Sequence, residues 1–343
     1  MPSSPGTRRP LDRRTVLRTG GLGLGLLGLG PLLAACGDAD GSPGGGQGRR
    51  AKVEDTQPGT ASAVIRPISE RRKLIGDLDL TYVGGTGPGD VQNKLLSGAL
   101  DVSSMGPIGA AVVGDAGSDV VIFSTSLANH VVWLVPENSP YRKVSDLRGR
   151  KVATPPKNSD AFRSAQLATA VRGGDFEKDH KLHPGAVLAG LALFERGDVD
   201  AIVTIEPNAT RLVGKGARQL ATVNEEWQEG TGSEQRLFLN GQGARRDWVE
   251  KNRQTAKALA TLRLSAHRHI HDRPEVLSEL HRYYGIPASE KKAIALLPKR
   301  LVDVYPTTWD KRTFANIRKQ LDVAVDTGLL PKPPRRPVYQ ALD

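Results

Sequence analysis

A single cysteine, Cys36, serves the whole 343-residue chain, and it stands in LLAACGDADG at the end of an apolar run that begins at Gly20. Without a second thiol no disulfide can cross-link the chain, so residues 37–343 must hold together by burying a core. Roughly 300 residues are enough for two lobes with adequate cores. Thiol catalysis after Cys36 and cysteine-built zinc sites are excluded. Net charge is +11, and it falls to +7 once the five Arg and one Asp of residues 1–36 are set aside. That excess is spread along a chain with only 5% aromatic residues, which describes a solvated surface and argues against a nucleic-acid partner.

The first 36 residues run basic, then apolar, then small, which is the layout of an export signal and is set apart from fold reasoning. Arg13-Arg14-Thr15-Val16-Leu17-Arg18 resembles a twin-arginine signal, and Leu33-Ala34-Ala35-Cys36 resembles a bacterial lipobox, whose cysteine becomes the lipidated first residue. The apolar run is short and diluted by glycine, unlike a segment that stays in the bilayer. The reading is a signal over 1–36 and a flexible tether over 37–50, GDADGSPGGGQGRR, with a lipid anchor at Cys36. That localises the protein to the outer face of the bacterial cytoplasmic membrane.

From Ala51 short apolar stretches alternate with longer helical ones. Strands are expected near 51–54, 78–83, 100–103, 119–124, 131–135, 150–153, 200–204, 218–222 and 236–240. Helices are expected over 60–75, 88–98, 107–114, 159–172, 184–196 and 207–215, then through an almost wholly helical tail from 245 to 328. The alternation predicts an α/β fold with parallel-dominated sheets. Pro67 conflicts with the first helix, because an interior proline costs about 3 kcal/mol; that helix must be kinked or begin late.

Three phrases then carry a resemblance. KLLSGALDVSSMGP (94–107), SDLRGRKVATPPKNSDAFRSAQLATAVRGG (145–174) and LALFERGDVDAIVTIEPNATRLVGKGARQL (191–220) resemble, in this order, segments of ABC-importer solute-binding proteins of the nitrate, sulfonate, taurine and thiamine-precursor group. The resemblance implies a two-lobed periplasmic-binding-protein fold with two crossing hinge strands, at 131–136 and 235–240, and a helical C-terminal tail packed on the first lobe. Lobe 1 is then 51–133 with 238–343, and lobe 2 is 134–237. The chain departs from the family at its first helix, VIRPISERRKLIG, where many relatives carry an Ala-, Gly- and Phe-rich phrase.

Ligand in such a fold sits between the lobes, at strand ends where helix N-termini point inward. Thr56, Gln57 and Thr60 follow the first strand and either hold an anionic head group or cap the first helix. Ser104 and Met105 end the third strand at the expected cleft edge, with a plain turn as the competing account. Ser124, Thr125 and Ser126 offer a run of small donors suited to an oxyanion, or satisfy the backbone in a turn. Thr154 and Asn158 open a helix of the second lobe. Glu206, just beyond the apolar AIVT and before Pro207, either accepts from an amino group of the ligand or favours a helix N-terminus by its charge. His267 and His271 share a helix face but lack a third ligand, so a solvated face is read in place of a metal site.

The expected function is the substrate-binding component of an ABC importer, without catalysis, metal or cofactor. It captures a small organic anion or zwitterion of the alkanesulfonate or taurine type and delivers it to permease subunits. A thiamine pyrimidine precursor is the alternative ligand, and a sensor or scaffold lipoprotein the alternative role.

Overall fold

The computed structural model describes residues 49–342. The expected signal, the expected lipid attachment at Cys36 and residues 37–48 of the expected tether lie outside the described residues. Arg49 and Arg50, read from sequence as the end of the tether, already belong to a strand.

The chain builds two five-stranded sheets. The first contains β1 (Arg49–Glu54), β2 (Leu78–Val83), β3 (Val102–Met105), β4 (Val120–Ala128) and β10 (Phe238–Arg245), in the order β2-β1-β3-β10-β4. The second contains β5 (Val131–Val135), β6 (Lys151–Thr154), β7 (Lys181–Pro184), β8 (Ala201–Ile205) and β9 (Arg218–Thr222), in the order β7-β6-β8-β5-β9. In each sheet four strands share one direction and the fourth in the order, β10 or β5, runs against them. These mixed sheets have a simple cause: β10 and β5 are the strands by which the chain enters one sheet from the other. The change of sheet falls at residues 129–130 and 232–237, so residues 131–135 lie wholly in the second sheet.

Helices connect the strands. The first lobe carries α1 (Ile65–Arg71), α2 (Pro88–Ser97) and α3 (Pro107–Asp115). The second carries α4 (Asp160–Val171), α5 (Phe176–Asp179), α6 (Val187–Glu195), α7 (Asn208–Gly214) and α8 (Val223–Thr231). The tail folds as α9 (Arg246–Lys251), α10 (Arg253–Asp272), α11 (Val276–Glu279), α12 (Lys291–Leu301) and α13 (Lys311–Asp326). Pro67 is accommodated by a late start: a 3-10 turn covers Ala61–Val64, and α1 begins at Ile65, so the proline falls in its first turn.

Three elements escape the sequence pattern: β7, α8 and the single-turn α5. β7 is a short, half-polar edge strand ending at a proline, where a missing N–H costs no ladder bond. Its residues therefore lack an apolar run. α8 does carry a readable signal, the Thr222-Val-Asn-Glu225 capping box, whose two hydrogen bonds both form.

The tail fastens mainly to the first lobe. α10 packs on α1, β1 and β4, and α13 on α3 and β10. Tyr284 and Tyr305 share a hydrogen bond of 2.6 Å, and Tyr305 donates on to the Ala61 carbonyl. α12 departs from this expectation by packing on α7 of the second lobe. The approach is close enough that a Cβ at Gly214 would lie 2.8 Å from the Ala293 backbone. His267, read from sequence as solvated, is wholly buried and its Nδ1 bonds the Pro306 carbonyl at 2.7 Å. Burial beside Arg263 takes its pKa down to about 3. Among the described residues no three His, Cys, Asp or Glu could hold a metal ion, and no helix is long and apolar enough to cross a membrane.

The second lobe's core centres on Trp133, with Phe176 set edge-on at 5.6 Å and Phe162 edge-on to Phe176 at 5.1 Å. The Trp133 indole N–H donates to Glu226 of α8 at 2.7 Å. Burial, against that hydrogen bond, pushes the Glu226 carboxyl up to about 7 from 4.5. The folded state therefore holds this proton more tightly, so the group's stabilising contribution is complete below pH 4.5 and is lost as pH rises through 7. Glu226→Gln is expected to raise the unfolding free energy by up to about 3 kcal/mol at pH 8 and to change it little at pH 4. Urea unfolding at the two pH values measures this.

Candidate functional site

β1 and β3 pair briefly. Their register closes at Val53 opposite Val102, and the next N–H groups on that side of β3, from Ser104 and Gly106, lie beyond the end of the ladder. Side-chain carboxylates take them, one from each lobe. Glu54 Oε2 accepts from the Ser104 N–H at 2.9 Å, and Asp160, the first residue of α4, accepts from the Gly106 N–H and the Asn240 amide. Gly106 is required here, since a Cβ would lie 2.5 Å from Asp160 Oδ1 and 2.7 Å from the Leu239 carbonyl. Burial raises the Asp160 carboxyl to about 6, opposed by Arg163, Asn240 and Gly106 and assisted by the charge of Glu54. Burial also raises Glu54, opposed by the Ser104 N–H and Arg263. Asp160 thus feels the charge of Glu54 across the lobes.

Below this strand end lies a cavity of about 450 Å³, between the first sheet, α1 and α10. Its polar lining includes Glu54, Ser62, Tyr82, Ser104, Gln242 and Arg263. Nε and Nη1 of Arg263 are buried and have no hydrogen-bond partner, as are Ser62 Oγ and Gln242 Oε1. Burial lowers the Arg263 pKa to about 10, which leaves it charged at neutral pH. Also on the cavity wall, the Arg66 guanidinium lies 3.9 Å over the Tyr82 ring and is held by Glu70 at 2.9 Å. A buried guanidinium with unanswered N–H groups costs several kcal/mol. The chemistry that removes this cost is an oxyanion, whose two oxygens match the guanidinium fork.

Three further contacts hold the lobes together. Asn208 Nδ2 of α7 donates to the Gly59 carbonyl at 2.7 Å. The Asn158 amide lies against Gly89 in the first turn of α2, where a Cβ would come within 2.8 Å of it. α12 pairs with α7 through Arg300, which reaches Glu206 Oε1 at 2.6 Å and Gln219 at 2.8 Å, and through Glu290, which accepts from Arg211.

Residues 72–228 match the family model for the periplasmic substrate-binding protein of ABC phosphonate transporters. Over that segment the chain is similar to ABC-importer substrate-binding proteins. Solved structures agree in fold over most of the chain. The alkanesulfonate-binding protein SsuA from Xanthomonas axonopodis pv. citri, bound to MOPS, matches with a TM-score of 0.68 and 18% identity, covering 87% of this chain and 100% of that one. The periplasmic aliphatic sulphonate binding protein SsuA from Escherichia coli matches with a TM-score of 0.62 and 23% identity, covering 83% and 94%. The desulfurization enzyme DszB shares the fold at a TM-score of 0.54 and 15% identity, covering 83% and 94%. No curated protein matches the chain by sequence.

Within this binding-protein fold the residues expected from sequence divide sharply. Thr56 and Ser104 line the cavity. Gln57 is exposed, and the Thr60 hydroxyl donates to the Gln57 carbonyl as in an ordinary turn. Met105 is a core residue, because the strand's alternation turns it into the hydrophobic cluster beside Gly243. Ser124, Thr125 and Ser126 lie inside β4, fully buried, since that strand runs on to Ala128 instead of stopping at 124. The Thr154 hydroxyl is buried against the Pro155 carbonyl, and Asn158 sits at the lobe seam.

Glu206 is corrected in role: Oε1 receives Arg300 and Oε2 receives the Thr210 N–H and hydroxyl, so the carboxylate fastens α7 to α12. Glu54, Asp160, Gln242 and Arg263 were missed. Arg263 sits in an amphipathic tail helix where a cation reads as surface, and only the packing of α10 on β1 turns it inward. Glu206→Ala is expected to destabilise the fold by about 3 kcal/mol or more whether or not solute is present, because it strands the Arg300 charge. Denaturant titrations with and without solute check this.

Proposed function

We propose that this protein is the extracytoplasmic solute-binding component of an ABC importer, held to the membrane by a lipid on Cys36. It captures a small organic oxyanion of the sulfonate or phosphonate type, taurine-like sulfonates included, and presents it to permease subunits. The observation that carries this reading is Arg263, a charged guanidinium lining a solute-sized cavity with two N–H groups unanswered. The family match over 72–228 and the two-lobed fold support the transport role. The oxyanion occupies the cavity and bridges Arg263 to Ser62, while Thr56 and Ser104 border it at the lobe seam. Closure of the second lobe through Asp160 and Asn208 then produces the shape that a permease reads.

A thermal-shift series with alkanesulfonates, taurine, alkylphosphonates and thiamine pyrimidines tests the proposal. Saturating solute at 100 times its Kd should add about 2.7 kcal/mol, a rise of several degrees in Tm. Arg263→Gln should weaken oxyanion binding by roughly 100-fold, the scale of a charged hydrogen-bonded pair. No shift with any oxyanion, from protein that melts cooperatively, would sink the reading. For the anchor, the expected outcome is lipid incorporation by cells making the full chain and none after Cys36→Ser; equal labelling rules the anchor out.

A further inference from the structure

We propose that Asp160 makes solute capture proton-coupled: its carboxyl enters the seam between the lobes by taking a proton from water, so acid favours the closed, solute-bound form. This rests on the solute reading and the lobe closure above. The observation is one of placement. Asp160 is the first residue of α4, in the second lobe, yet it accepts from the first lobe, from the Gly106 N–H at the start of α3 and the Asn240 amide on β10. A Cβ at Gly109, further along α3, would lie 3.3 Å from Asp160 Oδ1.

The groups around the carboxyl replace only part of the water that closure removes. Among the described residues the one cation in ion-pair contact with it is Arg163, 3.8 Å away on the same helix, whose Nη1 also donates to the Asn158 carbonyl. Arg163 and the N-terminus of α4 travel with Asp160, so they favour its charge whether the lobes are apart or together. The first lobe adds two neutral donors and, on β1, the Glu54 carboxyl, whose charge opposes that of Asp160; Arg263 of α10 acts on Glu54.

Desolvation therefore prevails, and in the seam the carboxyl has a pKa of about 6 in place of 3.8. The closed form holds this proton more tightly than separated lobes do. Its gain from protonation is complete below pH 3.8 and is lost as pH rises through 6.

The test is calorimetric titration of the intact protein with ethanesulfonate and with taurine, neither of which changes charge between pH 5 and 7.5. Paired buffers of different ionisation enthalpy report the protons exchanged. Roughly 0.8 proton should be taken up per solute bound at pH 5 and almost none at pH 7.5, with affinity about tenfold higher at the lower pH. Asp160→Asn, the uncharged isostere, should lose that uptake and bind at least about tenfold more tightly than wild type at pH 7.5. A residue with a merely structural role would bind more weakly when changed. Glu54→Gln, which removes the neighbouring carboxyl, should leave most of the uptake in place.

Absence of proton uptake by the wild type at pH 5, uptake retained in Asp160→Asn, or uptake lost only in Glu54→Gln overturns the proposal. The wild-type measurement stands even where a variant fails to fold. Folded protein that binds neither compound at either pH overturns the solute reading and the coupling with it, an outcome told apart from the others because in them solute still binds.

Discussion

Two backbone N–H groups at the end of β3 impose the constraint on which the site is built. β1 stops before it can receive them, and buried donors must be answered. Glu54 answers one from inside the first lobe and Asp160 answers the other from the second. The same two hydrogen bonds therefore orient an acidic group at the cavity wall and draw the lobes together. Desolvation raises both carboxyl groups, and their mutual repulsion adds to Asp160, so the arrangement is poised for a change in charge or ligand.

Arg263 completes the electrostatics from the opposite side. α10 belongs to the tail, far along the chain from β1, yet its packing on β1 and α1 delivers a guanidinium over the polar row of the first sheet. A cation enclosed without a partner is costly, and a solute oxyanion relieves that cost. In the function proposed above, such binding would be linked to the second lobe, because the charge of Glu54 is felt by Asp160 across the seam.

α12 gives the body a second connection between lobes. Its ion pairs and hydrogen bonds to Glu206, Gln219 and Arg211 join the tail to α7, while Tyr284 and Tyr305 tie the tail to the start of the first helical segment. Movement of the second lobe must therefore carry α12 with it or break a nearly buried ion pair, since Glu206 is only 3% exposed. This restraint follows from the tail dividing its packing between the lobes.

The sequence by itself determined the element order. Continuous apolar runs such as VVWLV become buried strands, Gly98 and Gly197 end helices with left-handed backbone, and Pro67 forces a late helix start. Local conformation and hydrophobic burial are properties of neighbouring residues, so they are legible in order along the chain. Even there, polar edge strand β7 left no pattern, and the strand alternation that buries Met105 was read one element too loosely.

Only the tertiary structure decided the site. Glu206 looks from sequence like a ligand contact and proves to be an internal tie, because Arg300, 94 residues away, reaches it first. Arg263 looks like surface and proves to line the cavity. Which charge meets which partner depends on contacts between segments far apart in the chain, and electrostatic energy in a buried space is set by those contacts and not by the local order of residues.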